Sequence, residues 1–462
     1  MNLVDRLIVV RERVSLLSPR LQTAVLYLPV LLVAVLIRLV NLGNPRALIF
    51  DEVYYVRDAW TLWNLGYESE WPDGADFVAG STSGYSTDPS FIAHPPLGKL
   101  IIGAGMALFG PDNSFGWRFA TAIAGILVVL FTMLIARRLF HSPFAAALAG
   151  LIVTLDGVAI TLSRTALLDG ILAALILAAF LALLRHFDNP GWGQWLALVG
   201  VLLGAASAVK WSGLYAFAVF GVWIVAEAIV RHRSWRAVGD IAKAVLIATP
   251  LLVVTYITSW SRWLLGTGGY DRNSVVIDGN PVASAFASLW EYHQAIFDYN
   301  IGLVAPHGYA ANPFGWLFLA RPTAFYYETA CGEGCAEYIT SVANPIFWYI
   351  GVAALVWLII HTIRTKTSWG VPILVGVAAT YIPWLFFAHR TVFQFYTVTL
   401  EPFLALAAVW MLVRLWRTGW EQAVTALVVI GGVVAAFFLP VWLGLPVPVW
   451  FAATHYWFPW WI

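Results

Sequence analysis

Long apolar runs separated by short polar connections dominate the chain. A membrane-spanning helix needs about 20 predominantly apolar residues, and about eleven segments fit that description. They lie at roughly 22–42, 114–136, 142–160, 167–185, 193–209, 212–230, 241–260, 343–363, 370–387, 393–413 and 420–443. The pattern therefore predicts an all-α, polytopic membrane protein.

Basic connections orient the predicted spans, because Lys and Arg are enriched in the cytoplasmic loops of membrane proteins. The basic connections contain Arg137 and Arg138, Arg185, Arg231 and Arg233, Arg364 and Lys366, and Arg414 and Arg417. Alternating spans place them all in the cytoplasm only if the N-terminus is cytoplasmic and the C-terminus extracytoplasmic. Residues 97–110 must then not cross the membrane.

Two long polar stretches fall on the extracytoplasmic side in this arrangement. We predict a single membrane domain over residues 1–462, with extracytoplasmic loops at 44–113 and 261–342 and C-terminal membrane helices at 343–462. The first loop includes a Gly- and Ser-rich portion from Asp73 to Ser90, which is typical of a mobile cover or a solvated connection. The apolar run at 21–42 lacks a small-residue cleavage site, so we expect a retained anchor rather than a signal peptide.

Composition agrees with a membrane protein and narrows the function. The chain is 61% hydrophobic and only 11% charged, whereas soluble domains are about 45–50% apolar and about 25% charged. The formal net charge of +1 gives no basic footprint for nucleic acid. We therefore expect chemistry at the membrane and no nucleic-acid partner.

Adjacent carboxylates, Asp51 and Glu52, directly follow the first predicted span. His94 and Lys99 occur some forty residues later in the sequence His-Pro-Pro-Leu-Gly-Lys. An acidic pair with basic groups at the water–lipid boundary suits a transferase that uses a lipid phosphate. The alternative interpretation is that Asp51 caps a helix that begins near Glu52.

Further ionisable residues cluster at the same predicted membrane face. Arg118 begins one span, Arg164 and Asp169 lie in a turn between two spans, and Lys210 lies in the next such turn. Cations from separate helices at one depth are expected to clamp a phosphate. Each of them alone could instead extend to water. A transporter or channel would place its charges near the bilayer midplane, so the single-face clustering favours an enzyme.

The second loop interleaves aromatic residues with polar side chains that suit binding of a sugar or a headgroup. His293, His307, Asn312 and Arg321 are the polar members. An interfacial aromatic belt is the competing interpretation. Its two cysteines, Cys331 and Cys335, are predicted to form a disulfide in an irregular turn, because the compartment is oxidising. Two thiols without a matched His pair do not predict a metal site.

Glu401 lies inside the span at 393–413 and is followed by Pro402. Ionisable residues within spans are costly and usually have a partner or a function. The sequence offers Arg390 or a backbone amide freed by the proline as partners, and it assigns Glu401 no role.

The ordered motifs resemble those of the protein O-mannosyltransferases, which have the GT-C membrane fold. The motifs are Phe50-Asp-Glu-Val53, His94-Pro-Pro-Leu-Gly-Lys99, Ser163-Arg164, Leu168-Asp169, Lys210-Trp-Ser-Gly, Leu289-Trp-Glu-Tyr-His293, His307-Gly-Tyr, Asn312-Pro-Phe-Gly-Trp, Arg321-Pro and His389-Arg390. The resemblance runs over most of the chain. The second loop lacks the β-trefoil domain of eukaryotic members, as in actinobacterial members.

The resemblance implies a mannosyl transfer, with inversion, from a polyprenyl phosphate to Ser or Thr hydroxyls of secreted proteins. Asp51 is the expected general base, and Glu52 is expected to orient the acceptor or hold a cation. The residues expected to bind the phosphate and lipid of the donor are Arg118, Arg164, Lys210, His94, Lys99 and Asp169. Those expected to bind the acceptor or the sugar are His293, His307, Asn312, Arg321, His389 and Arg390.

No cofactor is required by the resemblance, and a role for a divalent cation is left open. The expected partners are polyprenyl-phosphate-mannose, a secreted Ser/Thr-containing polypeptide and membrane lipid, with association with the secretion machinery also considered. The alternative function is a GT-C glycosyltransferase with a lipid or polysaccharide acceptor.

Overall fold

The computed structural model describes residues 3–72, 77–232, 234–329 and 331–461. Two parts of the sequence predictions lie outside these ranges. They are residues 73–76, which begin the Gly- and Ser-rich portion, and Arg233 of the third basic connection. The described chain is mainly helical, with one small sheet.

The helices of the first half are α1 (Leu3–Ser15), α2 (Pro19–Leu39), α3 (Glu52–Leu65), α4 (Leu97–Phe109), α5 (Ser114–Phe140), α6 (Pro143–Thr154), α7 (Gly157–Arg164), α8 (Leu168–Asp188), α9 (Gln194–Val209), α10 (Gly213–His232) and α11 (Arg236–Ser259). Those of the second half are α12 (Ser261–Leu265), α13 (Pro281–Gly302), α14 (Pro313–Trp316), α15 (Pro345–Thr365), α16 (Val371–Thr380), α17 (Ile382–Leu385), α18 (Glu401–Arg417), α19 (Glu421–Leu443) and α20 (Val449–Ala453).

Seven of the described helices are long and apolar enough to cross a membrane, or eight if α6 and α7, which meet at a 63° bend, form one span. The polytopic helical class is therefore confirmed, but the predicted number of about eleven spans is not. The difference lies in short or broken segments. The predicted span at 193–209 is the 16-residue α9, and the one at 370–387 is divided between α16 and α17. The predicted span at 393–413 begins as a 3₁₀ helix at Gln394–Thr399 before α18.

Helix α8 lies at the centre of the packing, with 78% of its most apolar window buried. It contacts α5 and α9 along much of its length. By contrast, α2 buries only 11% of its window, so α2 lies at the periphery and faces lipid. Since lipid replaces water around such helices, their outward apolar side chains need no protein partner.

The sheet has the order β1 (Ala324–Glu328), β2 (Cys335–Thr340) and β3 (Pro446–Pro448), with antiparallel neighbours. A disulfide joins Cys331 and Cys335 across the turn between β1 and β2. The Thr161 hydroxyl of α7 donates to the Thr340 carbonyl at 3.0 Å. The Phe325 ring of β1 also packs against Phe50 of the first loop, so the sheet lies at the same end of the bundle as that loop.

Candidate active site

A cavity of about 1780 Å³ opens between the two long polar loops. Its walls come from α3, α4, α10, α11, α13 and the segment that precedes α18. Seven of the residues singled out in the sequence line it: Asp51, His94, Lys99, Lys210, His293, His307 and Arg390. The structure therefore brings residues that are more than 300 positions apart into one site.

Asp51 precedes the first residue of α3 and follows Phe50, whose φ is +50°. The Asp51 carboxylate makes no capping hydrogen bond to α3, so helix capping does not account for this side chain. The pKa of Asp51 is raised to about 6, mainly because the carboxylate is buried; the charge of Lys210 opposes this shift and that of Asp169 adds to it. A carboxylate with a pKa just below neutrality is well matched to proton abstraction at physiological pH.

Glu52 does not line the cavity and forms a fully buried ion pair with Arg118. The Arg118 Nε and Nη2 groups donate to the two carboxylate oxygens, each at 2.8 Å. The backbone N–H groups of Ile49 and Ala166 donate to the same carboxylate at 3.0 and 2.7 Å. Four donors therefore hold Glu52 in place, and it links the start of α3 to α5 and to the turn before α8.

Arg118 has no donor left for a phosphate. Besides Glu52, its guanidinium donates to the carbonyls of Leu42, Pro45 and Ala47 at 3.3, 2.9 and 2.9 Å. An arginine has five N–H donors, and all five are used. Through these contacts Arg118 anchors the segment that carries Asp51. Its contact with the donor phosphate stays a prediction that this geometry does not favour.

Arg164 likewise serves the backbone. It donates to the carbonyls of Ile37, Arg38, Val40 and Asn41 at 2.8–3.3 Å. Ile37 and Arg38 lie in the last turn of α2, whose final carbonyls have no partner within the helix, and Val40 and Asn41 directly follow it. Arg164 does not line the cavity. The geometry therefore favours a structural role beside α2, and the phosphate contact of Arg164 stays a prediction.

Lys210 remains a cation of the cavity. Its ammonium group is paired with Asp169 Oδ1 at 2.9 Å and lies 3.8 Å from the centre of the Tyr396 ring. A carboxylate and an aromatic face on different elements fix a side chain that is otherwise flexible. Asp169 therefore positions Lys210, and Tyr396, to which the sequence assigned no role, provides the second contact.

Arg390 enters the cavity from the segment after α17. Its Nη2 group donates to Asn300 Oδ1 at 3.3 Å, while the buried Nε group has no hydrogen-bond partner among the described residues. A buried guanidinium N–H normally has a partner, so this group is available to an anion. His389, its neighbour, does not line the cavity.

His94 and Lys99 belong to the same wall. Burial lowers the pKa of His94 well below its usual range, and the charges of Lys210, Lys99 and Arg390 lower it further, so the imidazole is neutral at pH 7. Lys99 is buried between Glu68 at 2.5 Å and Asp58 at 3.4 Å. Its charge is therefore already balanced within the protein.

Gly98 explains how this wall is formed. A Cβ atom at position 98 would lie 2.6 Å from the Leu168 side chain and 3.1 Å from that of Val209. Leu168 precedes Asp169, and Val209 precedes Lys210. Only glycine therefore allows α4 to approach the two turns that carry Asp169 and Lys210, which form an ion pair.

The predicted acceptor or sugar residues divide into two groups. His293 and His307 line the cavity, and His293 contacts the Tyr256 hydroxyl and the Leu289 carbonyl, each at 2.7 Å. Asn312 caps α14 through the Phe314 N–H, and Arg321 donates to the Gly308 carbonyl. Asn312 and Arg321 therefore support the loop that carries His307 instead of lining the cavity.

Several lining residues were not identified from the sequence. Tyr55 and Asp58 follow Asp51 by four and seven positions and line the cavity with it. That spacing places side chains on one face of a helix, so helical periodicity could have identified them. Tyr256 and Asn300 also line the cavity, but their neighbours in sequence give no comparable signal. Trp211 lines it as well and directly follows Lys210 in the motif Lys210-Trp-Ser-Gly.

Glu401 lies outside the cavity. It is buried, and neither carboxylate oxygen has a hydrogen-bond partner among the described residues. The same residues contain no group of three or more His, Cys, Asp or Glu side chains that could hold a metal ion. Neither observation assigns Glu401 a part in the site.

Comparison with solved structures shows the fold. The Saccharomyces cerevisiae protein O-mannosyltransferase Pmt1–Pmt2 complex bound to the sugar donor matches 96% of this chain and 93% of the matched chain, with a TM-score of 0.76 at 14% identity. ArnT from Cupriavidus metallidurans bound to undecaprenyl phosphate matches 89% of this chain and 64% of its own, with a TM-score of 0.56 at 18% identity. The predicted GT-C fold is confirmed.

Comparison with curated sequences and family models identifies the relatives. A polyprenol-phosphate-mannose–protein mannosyltransferase of Mycolicibacterium smegmatis is 32% identical over 81% of this chain and 78% of its own length. The protein of the same description from Mycobacterium tuberculosis is 29% identical over 93% of this chain and 90% of its own. The model of the dolichyl-phosphate-mannose-protein mannosyltransferase family matches residues 29–265. The chain therefore belongs to the dolichyl-phosphate-mannose-protein mannosyltransferase family.

Proposed function

We propose that this protein transfers mannose from a polyprenyl phosphate to a Ser or Thr hydroxyl of a polypeptide, with Asp51 as the general base. The observation that carries the proposal is the Asp51 carboxylate, which lines a large cavity, caps no helix and lies near Lys210. Family membership supports the donor and the class of acceptor.

The opening of the cavity supports a lipid-linked donor. Leu214, Val253, Trp290 and Phe297 line the cavity and remain exposed. Leu214 and Val253 belong to α10 and α11, which are both long and apolar enough to cross a membrane. An apolar opening between such helices would let a polyprenyl chain remain in lipid while its phosphate enters the cavity.

Lys210 and Arg390 are our proposed contacts for the donor phosphate, in place of Arg118 and Arg164. Lys210 is held by Asp169 and Tyr396, and Arg390 has a free Nε group among the described residues. As the bond between the mannose C1 and the phosphate oxygen breaks, negative charge increases on the leaving phosphate. Fixed cations stabilise that charge more in the transition state than in the bound donor.

The transfer itself is proposed to be a single displacement. The acceptor hydroxyl oxygen forms a bond to C1, the bond from C1 to the phosphate oxygen breaks, and the hydroxyl proton passes to Asp51. Attack from the side opposite the phosphate inverts the configuration at C1. Neutral His94 can donate or accept a hydrogen bond in the same space, and Glu52 with Arg118 keeps the segment of Asp51 fixed.

Transfer in vitro tests the proposal directly. We expect the purified protein, with polyprenyl-phosphate-mannose, to mannosylate a Ser/Thr/Pro-rich peptide, and mass spectrometry would detect the added hexose on a hydroxyl side chain. Secreted peptides should also lose O-linked hexose when the gene is deleted. Transfer to lipid or polysaccharide with no modified peptide in either experiment would refute the protein acceptor and favour the alternative function. Adding a chelator to the same assay tests whether transfer needs a divalent cation, which the sequence leaves open.

The orientation of the chain is also a proposal: the N-terminus in the cytoplasm, and the cavity, both long loops and the C-terminus outside. Basic residues near the ends of α5, α8, α10, α15 and α18 support it.

We expect a cysteine introduced at Ser81 to react with an impermeant thiol reagent on intact cells and one at Ser234 to react only after permeabilisation. Labelling of both residues from outside would overturn the orientation.

A further inference from the structure

Strand β1 has an open edge. It pairs with β2 on one side, from Ala324 with Thr340 to Glu328 with Glu337. Among the described residues, the backbone of Ala324–Glu328 makes no hydrogen bond outside that pairing. The outward N–H and C=O groups of an edge strand can pair with another extended chain.

This edge begins next to the candidate active site. Phe325 of β1 packs against Phe50, with ring centroids 4.9 Å apart, and Phe50 directly precedes Asp51. The Phe50 ring also contacts His307 and Phe393, at 5.9 and 5.5 Å, and both of these line the cavity. The Phe50 ring therefore lies between Phe325 at the start of β1 and the residues that line the cavity.

The hairpin formed by β1 and β2 is acidic. It contains Glu328, Glu333 and Glu337, and residues 324–340 include no Lys, Arg or His. Glu328 and Glu337 are directly opposite each other in the register, although like charges at opposed positions destabilise a strand pair. No cation of the described residues forms a salt bridge with either carboxylate. A basic side chain supplied by a ligand would relieve that repulsion.

We propose that the acceptor polypeptide binds as an additional strand along the open edge of β1, with a basic side chain near Glu328 and Glu337 and its hydroxyl residue in the cavity. The inference rests on the proposed function and adds to it a docking mode and a sequence preference. An extended chain advances about 3.4 Å per residue. The basic residue should therefore lie several positions from the modified Ser or Thr.

Backbone N-methylation of the peptide tests the strand pairing on the unmodified enzyme. Only alternate residues of an added strand donate to β1. We expect N-methyl groups at alternate flanking positions to raise the peptide KM about 3- to 10-fold, the loss from one hydrogen bond, and those at intervening positions to have little effect. The KM for polyprenyl-phosphate-mannose should stay constant. Equal KM values for all N-methylated peptides and the parent would overturn the proposal.

Charge exchange tests the sequence preference. The wild-type enzyme should favour a peptide with lysine flanks over one with glutamate flanks, and the double variant Glu328→Lys/Glu337→Lys should invert that order. Glu12→Lys, which changes an exposed carboxylate of α1, is the control and should keep the wild-type order. A preference that the double variant leaves unchanged would contradict the proposal.

The outcomes separate this inference from the function on which it rests. If no peptide is mannosylated by the wild-type protein, the proposed function fails. If peptides are mannosylated but show neither the alternating effect nor the charge preference, only the docking mode fails. If instead Glu328→Lys/Glu337→Lys changes the mass of the detergent-solubilised protein and not its peptide KM, the edge pairs with a second copy, which also overturns the inference.

Discussion

Asp51→Asn is expected to lower turnover by about 10²- to 10⁴-fold, the usual contribution of a general base. Asparagine keeps the size of the side chain and can hydrogen-bond, but it cannot take the hydroxyl proton. Since the Asp51 carboxylate makes no capping bond to α3, the fold should tolerate the change. The kcat should be measured with saturating donor and peptide, together with donor affinity and the thermal melting of the variant.

Asp88→Asn is the matched control, because Asp88 is an exposed carboxylate of the same loop. It should keep the wild-type turnover. If Asp51→Asn also kept it, the base assignment would be wrong. Loss of turnover together with loss of melting temperature and donor binding would indicate a structural role instead.

The pH profile provides an independent test of the same residue. Burial raises the pKa of Asp51 to about 6, and only the ionised carboxylate can accept the proton. The rate should therefore fall as the pH drops through about 6 and should be level above that value until another group titrates. The residual activity of Asp51→Asn should lack this acid limb, and an unchanged limb in the variant would assign the titration to another group.

The sequence was sufficient for the fold class and for much of the cavity. Apolar runs identified most of the long helices, since burial in lipid depends on composition more than on tertiary partners. It failed where helices are short or broken: α9, α16 and the 3₁₀ turn before α18 are supported by neighbouring protein. Hydropathy alone cannot separate such segments from true spans.

The candidate site shows a different limit. Asp51, His94 and Lys210 were recognised because their motifs place them at one membrane face. The sequence could not show that the N–H groups of Arg118 and Arg164 donate to backbone carbonyls, because those carbonyls lie more than 70 residues away in sequence. A cation at a helix end can bind a ligand or a neighbouring backbone, and only the three-dimensional contacts decide between them.

Removal of Arg118 from its buried ion pair with Glu52 should therefore lower the stability of the protein rather than its affinity for the donor. Arg118→Ala leaves the Glu52 carboxylate fully buried without its counter-charge and leaves three carbonyls without a donor. Breaking one side of such a pair costs about 3–5 kcal/mol. We expect a large loss of thermal stability in detergent, with little active protein recovered.

The pair of Lys210 and Asp169 is the matched comparison. The double variant Lys210→Gln/Asp169→Asn removes both charges at once, so no lone charge remains buried. It should melt close to the wild type and raise the donor KM about 10- to 100-fold, the loss of a hydrogen bond to a charged group, with a smaller effect on the peptide KM. Its kcat should also fall, because Lys210 stabilises the charge on the leaving phosphate. Because Arg118 donates all its N–H groups within the protein, its variant should not show this selective loss. A stable Arg118→Ala protein with a raised donor KM would restore the phosphate role predicted from the sequence and refute the structural assignment.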